Sequence, residues 1–462
     1  MKPVVRHTVT RWTGELPTIL KHAGSVLAGQ LAVMAFGVAD TLIAGRYSDT
    51  ALAALSVGSA LYVSVYVGLM GIVQALLPIW SEMLGAGRTR ALGRSIRQSL
   101  YLCVLITLVG MAALLFPGQL LVWADVPPDL QQDVKSYLAV LAYALAPSLL
   151  FRIYGTFNQS LGKPLMVTWL QVVALVLKVP LSIWFVAGGA GLAPMGVVGC
   201  AWATLIVNYA LAILALLMLR TRPLYQPFDL WHAMERPDWK QIGRFFRLGL
   251  PGGLAYLVEV TSFTLMALFI ARLGTTASAS HQIAASIATV LYMVPLSLAI
   301  ASSARVSFWI GSGHPVKAKH VVFMTLRLLA LSSLTLSATI FFARFYLASW
   351  YSTNPEIVEI ASSLLLWVAA YHVADSTQAV TAFLLRCYRI TLAPLAIYGV
   401  LLWGMGLWGG YELTYYGVGA FQATQQARTF WIASTVAIAL VALALTGLLL
   451  RVVYRHQRRP ST

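Results

Sequence analysis

Along this chain the apolar residues neither alternate nor recur at amphipathic spacing. They run on in blocks of about twenty, separated by short stretches of Gly, Pro, Arg and Lys. A helix of about twenty residues covers the ~30 Å of hydrocarbon in a bilayer. Backbone groups in lipid have no water to bond, so such blocks must close their hydrogen bonds within the helix. The pattern predicts twelve membrane helices, near 25–45, 52–81, 98–116, 136–157, 165–187, 200–219, 248–270, 278–304, 321–342, 357–385, 392–409 and 429–450. The expected fold is an all-α integral membrane protein.

Composition agrees: 59% of residues are hydrophobic and 10% charged, with a mean hydropathy of +0.78, which excludes an ordinary soluble domain. The formal charge of +17 raises nucleic acid as a partner, but the positions of the basic residues exclude it. On the twelve-helix map, 25 of the 32 Lys and Arg fall on the side of the termini and five on the other. The positive-inside rule then puts both termini in the cytoplasm, with the basic surplus facing anionic membrane lipid. The start of the chain, with Lys2, Arg6, Arg11, Glu15 and Lys21, has no signal-peptide pattern. Cys103, Cys200 and Cys387 are scattered in apolar stretches and read as packing residues.

The chain matches itself at an offset of 226, where Leu84-Gly85-Ala86-Gly87 falls on Ile310-Gly311-Ser312-Gly313. Pro128-Asp129 meets Pro355-Glu356, and Pro164 meets Pro394, at nearby offsets. The repeat predicts a six-helix lobe over 1–225, a linker over 226–247 and a second six-helix lobe over 248–462. The linker belongs to a basic stretch that carries Pro223, Pro227 and Pro237. Six crossings per half is an even number, so the halves are related by a pseudo-two-fold axis along the membrane normal.

Three acids, Asp40, Glu259 and Asp375, fall within helices 1, 7 and 10. Each costs roughly 2.5–3.5 kcal/mol at the bilayer centre, so such residues mark ion or substrate pathways. A buried carboxylate can hold a proton, a sodium ion or a cationic substrate, each at the expense of the others. Tyr371 lies one turn before Asp375 on the same face. Lys178 in helix 5 is the basic residue expected deep inside. Either it pairs with Asp40, or its long stem carries the ammonium to an interface. The aromatics Tyr256 and Tyr292 fall at mid-helix in the second half and, with Asp40, Lys178, Glu259 and Asp375, are candidates for the lining of a substrate cavity.

Several segments together resemble the multidrug and toxic compound extrusion transporters, in the NorM-like branch. They are Val38-Ala39-Asp40-Thr41 with Ala44-Gly45, Gly249-Leu250-Pro251, Glu259-Val260-Thr261, His281-Gln282-Ile283-Ala284, Val294-Pro295-Leu296-Ser297-Leu298, Ala374-Asp375-Ser376, and Leu385-Arg386 with Tyr388. The resemblance implies a V of two lobes around a central cavity, and a monomeric secondary transporter rather than an enzyme. It implies no cofactor, with Na⁺ or H⁺ as coupling ion. Small organic cations or drugs would be exported across a bacterial inner membrane. It also implies that Glu259, Tyr371 and Asp375 form the cation-coupling site, the metal site if the ion is Na⁺, with Asp40 the important acid of the first lobe. The chain departs from the family at Lys178 and Ser182, where similar proteins carry asparagines, at Ser25 in place of a proline, and at Cys387 in place of a glycine. A lysine beside Asp40 can take the place of a bound cation there.

Two other readings compete. A flippase of lipid-linked sugar would need several basic residues in its cavity, and a membrane-embedded transferase would need clustered Asp or His. His281 and His372 are isolated and read as packing residues. Gly188-Gly189-Ala190-Gly191 has no strand before it and reads as a turn, and Asn158-Gln159-Ser160 reads as a helix end rather than a glycosylation site.

Overall fold

A computed structural model describes residues 14–118, 121, 127–189, 191–419 and 421–457 of the protein. Lys2, Arg6, Arg11 and Ala190 lie outside the described residues. The twelve expected helices are present: α1 Glu15–Tyr47, α2 Asp49–Gly85, α3 Thr89–Leu115, α4 Pro128–Ser160, α5 Leu165–Ala187 and α6 Val197–Thr221, then α7 Trp239–Ala271, α8 Thr275–Gly311, α9 Pro315–Tyr351, α10 Pro355–Cys387, α11 Leu392–Tyr415 and α12 Ala427–Gln457. Most run past the apolar blocks, because a helix continues into the headgroup region until a cap or glycine stops it. Large side chains such as Val109, Leu331 and Phe342 are 67–82% exposed and form the lipid-facing surface. Residues Tyr398–Trp408 of α11 are π-helical.

The self-matching motif ends α2 and α8 in the same way. Gly87 and Gly313 have φ of 68° and 75°. Gly87 N donates to Leu84 O and Arg88 N to Met83 O at 3.0 Å each, and the same pair of bonds recurs from Gly313 and His314 at 3.1 and 3.0 Å. This left-handed helix stop favours glycine. The earlier glycines of the motif have a different reason. A Cβ on Gly85 would sit 2.0 Å from the Phe308 carbonyl oxygen, and one on Gly311 would sit 1.9 Å from that of Glu82. These contacts exchange partners across the offset of 226, so α2 and α8 meet backbone to backbone about a pseudo-two-fold axis.

α2 also crosses α7 closely. A Cβ on Gly253 would lie 2.3 Å from the Gly68 carbonyl, and one on Gly71 would lie 2.7 Å from Gly253 Cα. Ion pairs join the halves on the side of the termini. Arg305 Nε and Nη2 donate to Glu15 at 2.9 and 2.5 Å, Trp309 Nε1 donates to Glu15 at 3.1 Å, and Arg389 meets Glu82 at 2.5 Å. Glu15 is a buried acid, 7% exposed.

The stretch between the halves is docked rather than loose. Tyr225 and Phe228 of a short 3₁₀ turn, Pro223–Phe228, are buried in the core of the first half. Arg97 of α3 donates to both carboxylate oxygens of Glu235 at 2.9 and 2.5 Å and also to the Asp229 carbonyl. Gln98 bonds Arg236 O at 3.1 Å and accepts from Asp238 N at 2.8 Å. α7 begins at Trp239, capped by Asp238, so the later part of the expected linker is already helix.

Candidate functional site: two carboxylates bridged by one amide

The acids of α7 and α10 come together. The Gln378 amide nitrogen donates one hydrogen to Glu259 Oε1 at 3.1 Å and one to Asp375 Oδ1 at 3.0 Å. The Gln378 carbonyl oxygen accepts from the Tyr398 hydroxyl of α11. Two acceptors on one side and a hydroxyl donor on the other fix which way the amide faces. Gln378 lies three residues after Asp375 and so on the same face of α10. It is fully buried, with Asp375 5% and Tyr398 4% exposed. Tyr398 opens the π-helical stretch of α11, and such stretches occur often at functional sites.

Tyr371 is buried one turn before Asp375, its ring edge-on to Phe263 and Trp431 at 5.8 Å from each, and it interacts electrostatically with both carboxylates. Tyr292 stands against Glu259. Tyr256 lies one turn before Glu259, packed edge-on against Phe383 at 6.2 Å. The structure thus brings Tyr371 and Tyr292 within electrostatic reach of both acids, and Tyr256 within reach of Glu259. Gln378 and Tyr398 went unmarked in the sequence, because a search for charge in lipid does not detect neutral side chains.

Asp40 and Lys178 pair directly, and Ser182 donates to Asp40 at 3.2 Å. This decides between the two positions left open for Lys178. Asp40, Lys178 and Ser182 are 7%, 2% and 0% exposed, and the ammonium lies 5.4 Å from the Phe36 ring centre. The first half thus carries its own cation against its acid, whereas the second half carries two acids bridged by a neutral amide, with Arg386 acting on Glu259 electrostatically and not through a direct ion pair.

Lys178 is not the sole buried base. Arg386 of α10 is 6% exposed, lies over the rings of Tyr256 and Phe383 at 5.1 and 4.5 Å, and has Nη1 without a hydrogen bond among the described residues. Arg152 of α4 has a buried, unbonded Nε and interacts with Tyr256 from the other half. Both counted as helix-end residues in the sequence map. His281 packs 5.8 Å from Trp431, His372 contacts Ser376, and Asn158 is buried and accepts from the Tyr225 hydroxyl, which removes it as a glycosylation acceptor.

Among the described residues no three His, Cys, Asp or Glu side chains gather. The Gln378 N–H groups face both carboxylates, and the atoms left to ligate a cation, carboxylate and tyrosine oxygens, are hard, which suits an alkali cation or a proton rather than a soft metal.

Twelve membrane-crossing helices in two repeats, with ionisable groups held between them, define a secondary membrane transporter rather than an enzyme. The MatE family model matches residues 26–184 and 251–411, two stretches whose starts and ends lie 225 and 227 residues apart, and the chain belongs to that family. It is 35% identical to a probable multidrug resistance protein NorM of Aromatoleum aromaticum, over 96% of each chain. Its fold matches that of the eukaryotic MATE transporter AtDTX14, with a TM-score of 0.84, 18% identity and coverage of 96% of this chain and 98% of the other. It also matches the Vibrio cholerae MATE transporter VcmN in its bent form, with a TM-score of 0.82, 16% identity and the same coverage.

Proposed function

We propose that this protein exports cationic or amphipathic organic compounds, driven by inward return of Na⁺ or H⁺ bound between Glu259 and Asp375. The names of its relatives, multidrug resistance proteins, support the substrate class. The observation that carries the reading is the single amide nitrogen bonded to both buried carboxylates. Two acids this close make one site for positive charge, which a coupling ion and a cationic guest cannot fill together. Asp40 serves its own lobe, with Lys178 in place of a bound ion.

In this reading the termini are cytoplasmic, the membrane is the bacterial inner membrane, and the monomer is the working unit. The close glycine contacts of α2 with α8 support a state closed toward the cytoplasm. A cation entering the outward-facing site weakens the hold on the substrate, which leaves. Where more charge returns than the substrate carries out, the membrane potential contributes ~2.3 kcal/mol per net charge per 100 mV, enough to sustain a more than tenfold substrate gradient.

In inverted vesicles, ethidium should accumulate only with a Na⁺ or H⁺ gradient, and Glu259→Gln or Asp375→Asn should abolish accumulation while leaving membrane insertion intact. Full transport by both variants rejects the coupling site. The buried Arg386 and Arg152 favour a second reading, flipping of an anionic lipid-linked sugar. That reading requires Arg386→Gln to stop lipid flipping in vesicles that do not accumulate ethidium.

A further inference from the structure

We propose that a cleft on the side of the termini, between the end of α2, the start of α7 and the α10–α11 connection, binds the headgroup of an anionic phospholipid. The cleft has a volume of about 720 Å³ and is lined by Ile79 and Met83 of α2, by Arg244, Arg247 and Leu248 of α7, and by Arg389 beyond α10. That size accommodates a group as large as a small ligand. Arg244 and Arg247 are exposed and three residues apart, so they project from neighbouring positions on one helix face. Among the described residues no acidic side chain lines the cleft, and Glu82, the partner of the lining Arg389, is engaged with it.

Guanidinium groups match a phosphodiester through paired N–H donors. A soluble phosphate would use the arginines and leave the apolar wall of Ile79, Met83 and Leu248 unused. A phospholipid uses both, because its charged phosphate is joined to acyl chains, and these helices cross the membrane that supplies it. The walls come from both halves of the protein. An occupant would therefore tie α2 to α7 and to the α10–α11 connection beside the Glu82–Arg389 pair, in the arrangement where α2 and α8 touch. This inference does not depend on which substrate is carried.

The test is native mass spectrometry of the full chain, stripped of lipid and titrated with phosphatidylglycerol, with phosphatidylcholine of the same chains, and with glycerol phosphate. Phosphatidylglycerol should bind at least tenfold more tightly than phosphatidylcholine. Arg244→Ala/Arg247→Ala should weaken it on the order of thirtyfold, at about one kcal/mol per basic residue, with a size-exclusion profile like the parent's. Arg220→Ala/Arg222→Ala, which removes exposed charge outside the cleft, should leave the preference in place. Equal binding of the two lipids, an undiminished preference in the cleft variant, or an equal loss in the control variant overturns the site. Displacement of the lipid by glycerol phosphate at matching concentration overturns the lipid in favour of a soluble phosphate. If the cleft variant fails to fold, Arg244→Gln and Arg247→Gln singly should each cost about fivefold, and no loss in either overturns the site.

Discussion

Replacing Lys178 with Met tests whether the first lobe is held by an internal ion pair. Both partners are more than nine-tenths buried, and Asp40 retains neutral partners, Ser182 and Cys200, once the ammonium is gone. Removing one partner of a buried pair leaves an uncompensated charge at about 3–5 kcal/mol, whereas replacing both with neutral groups of similar volume is close to neutral. With unfolding entropy of about 2 cal/mol/K per residue over 462 residues, this corresponds to a fall of roughly 3–5 °C in Tm. Lys178→Met and Asp40→Asn should each show that fall by intrinsic fluorescence in detergent, and the double variant should recover most of it. The double variant should also keep cation-dependent drug transport, since coupling is assigned to the second lobe. A double variant as unstable as the worse single refutes the pairing. A stable double variant that has lost ion dependence refutes the assignment of coupling to Glu259 and Asp375 alone.

Gln378→Leu removes two charge-assisted bonds and the acceptor for Tyr398. At about 1.5–3 kcal/mol per bond to a charged group, carboxylates that lose these donors hold a cation more tightly, so cation affinity measured by calorimetry should rise at least tenfold, and an unchanged affinity would show that the amide does not organise the site. Gly311→Ala puts a Cβ against the Glu82 carbonyl, and overpacking of this kind costs about 1–3 kcal/mol. It should raise the labelling rate of a cysteine placed near the α2–α8 contact, while Glu82→Ala, which breaks a largely exposed pair, should shift stability by less than about 1 kcal/mol. Arg97 holds the Glu235 carboxyl down at about 2 from an ordinary 4.5. A lowered acid pKa contributes stability that is complete above the ordinary value and is lost as pH falls toward the folded one. Proteolysis of the stretch around residues 229–238 should therefore rise between about pH 4.5 and 2, and Arg97→Ala should be cut readily at neutral pH. A pH-independent rate in the parent would refute the latch.

How much was legible from residue order follows from what each feature costs. Twelve helices could be read because apolar length in lipid is a strong constraint, and Asp375 and Glu259 stood out because charge there is expensive. The repeated glycine motif was visible as a match, but its physics was not. Only the fold shows that Gly87 and Gly313 turn the chain while Gly85 and Gly311 let two backbones touch. Gln378 and Tyr398 were hidden because neutral polar side chains are common in helices and acquire meaning only from their partners. Arg386 was hidden by its nearness to a helix end, which made it look like an interfacial charge. Glu15 was passed over because it precedes the first apolar block, although the helix begins there and buries it against Arg305 across the two halves. The linker could be read as a basic stretch with three prolines, but not its docking, in which Tyr225, Phe228 and Glu235 anchor it to the first half.

The most direct test of the central claim is counterflow in proteoliposomes loaded with radioactive sodium, repeated with a proton-sensitive dye, on addition of ethidium. The account predicts release of one of these ions in step with drug movement, and its loss in Glu259→Gln and Asp375→Asn. Drug movement with neither ion released, or release that survives both substitutions, would contradict it.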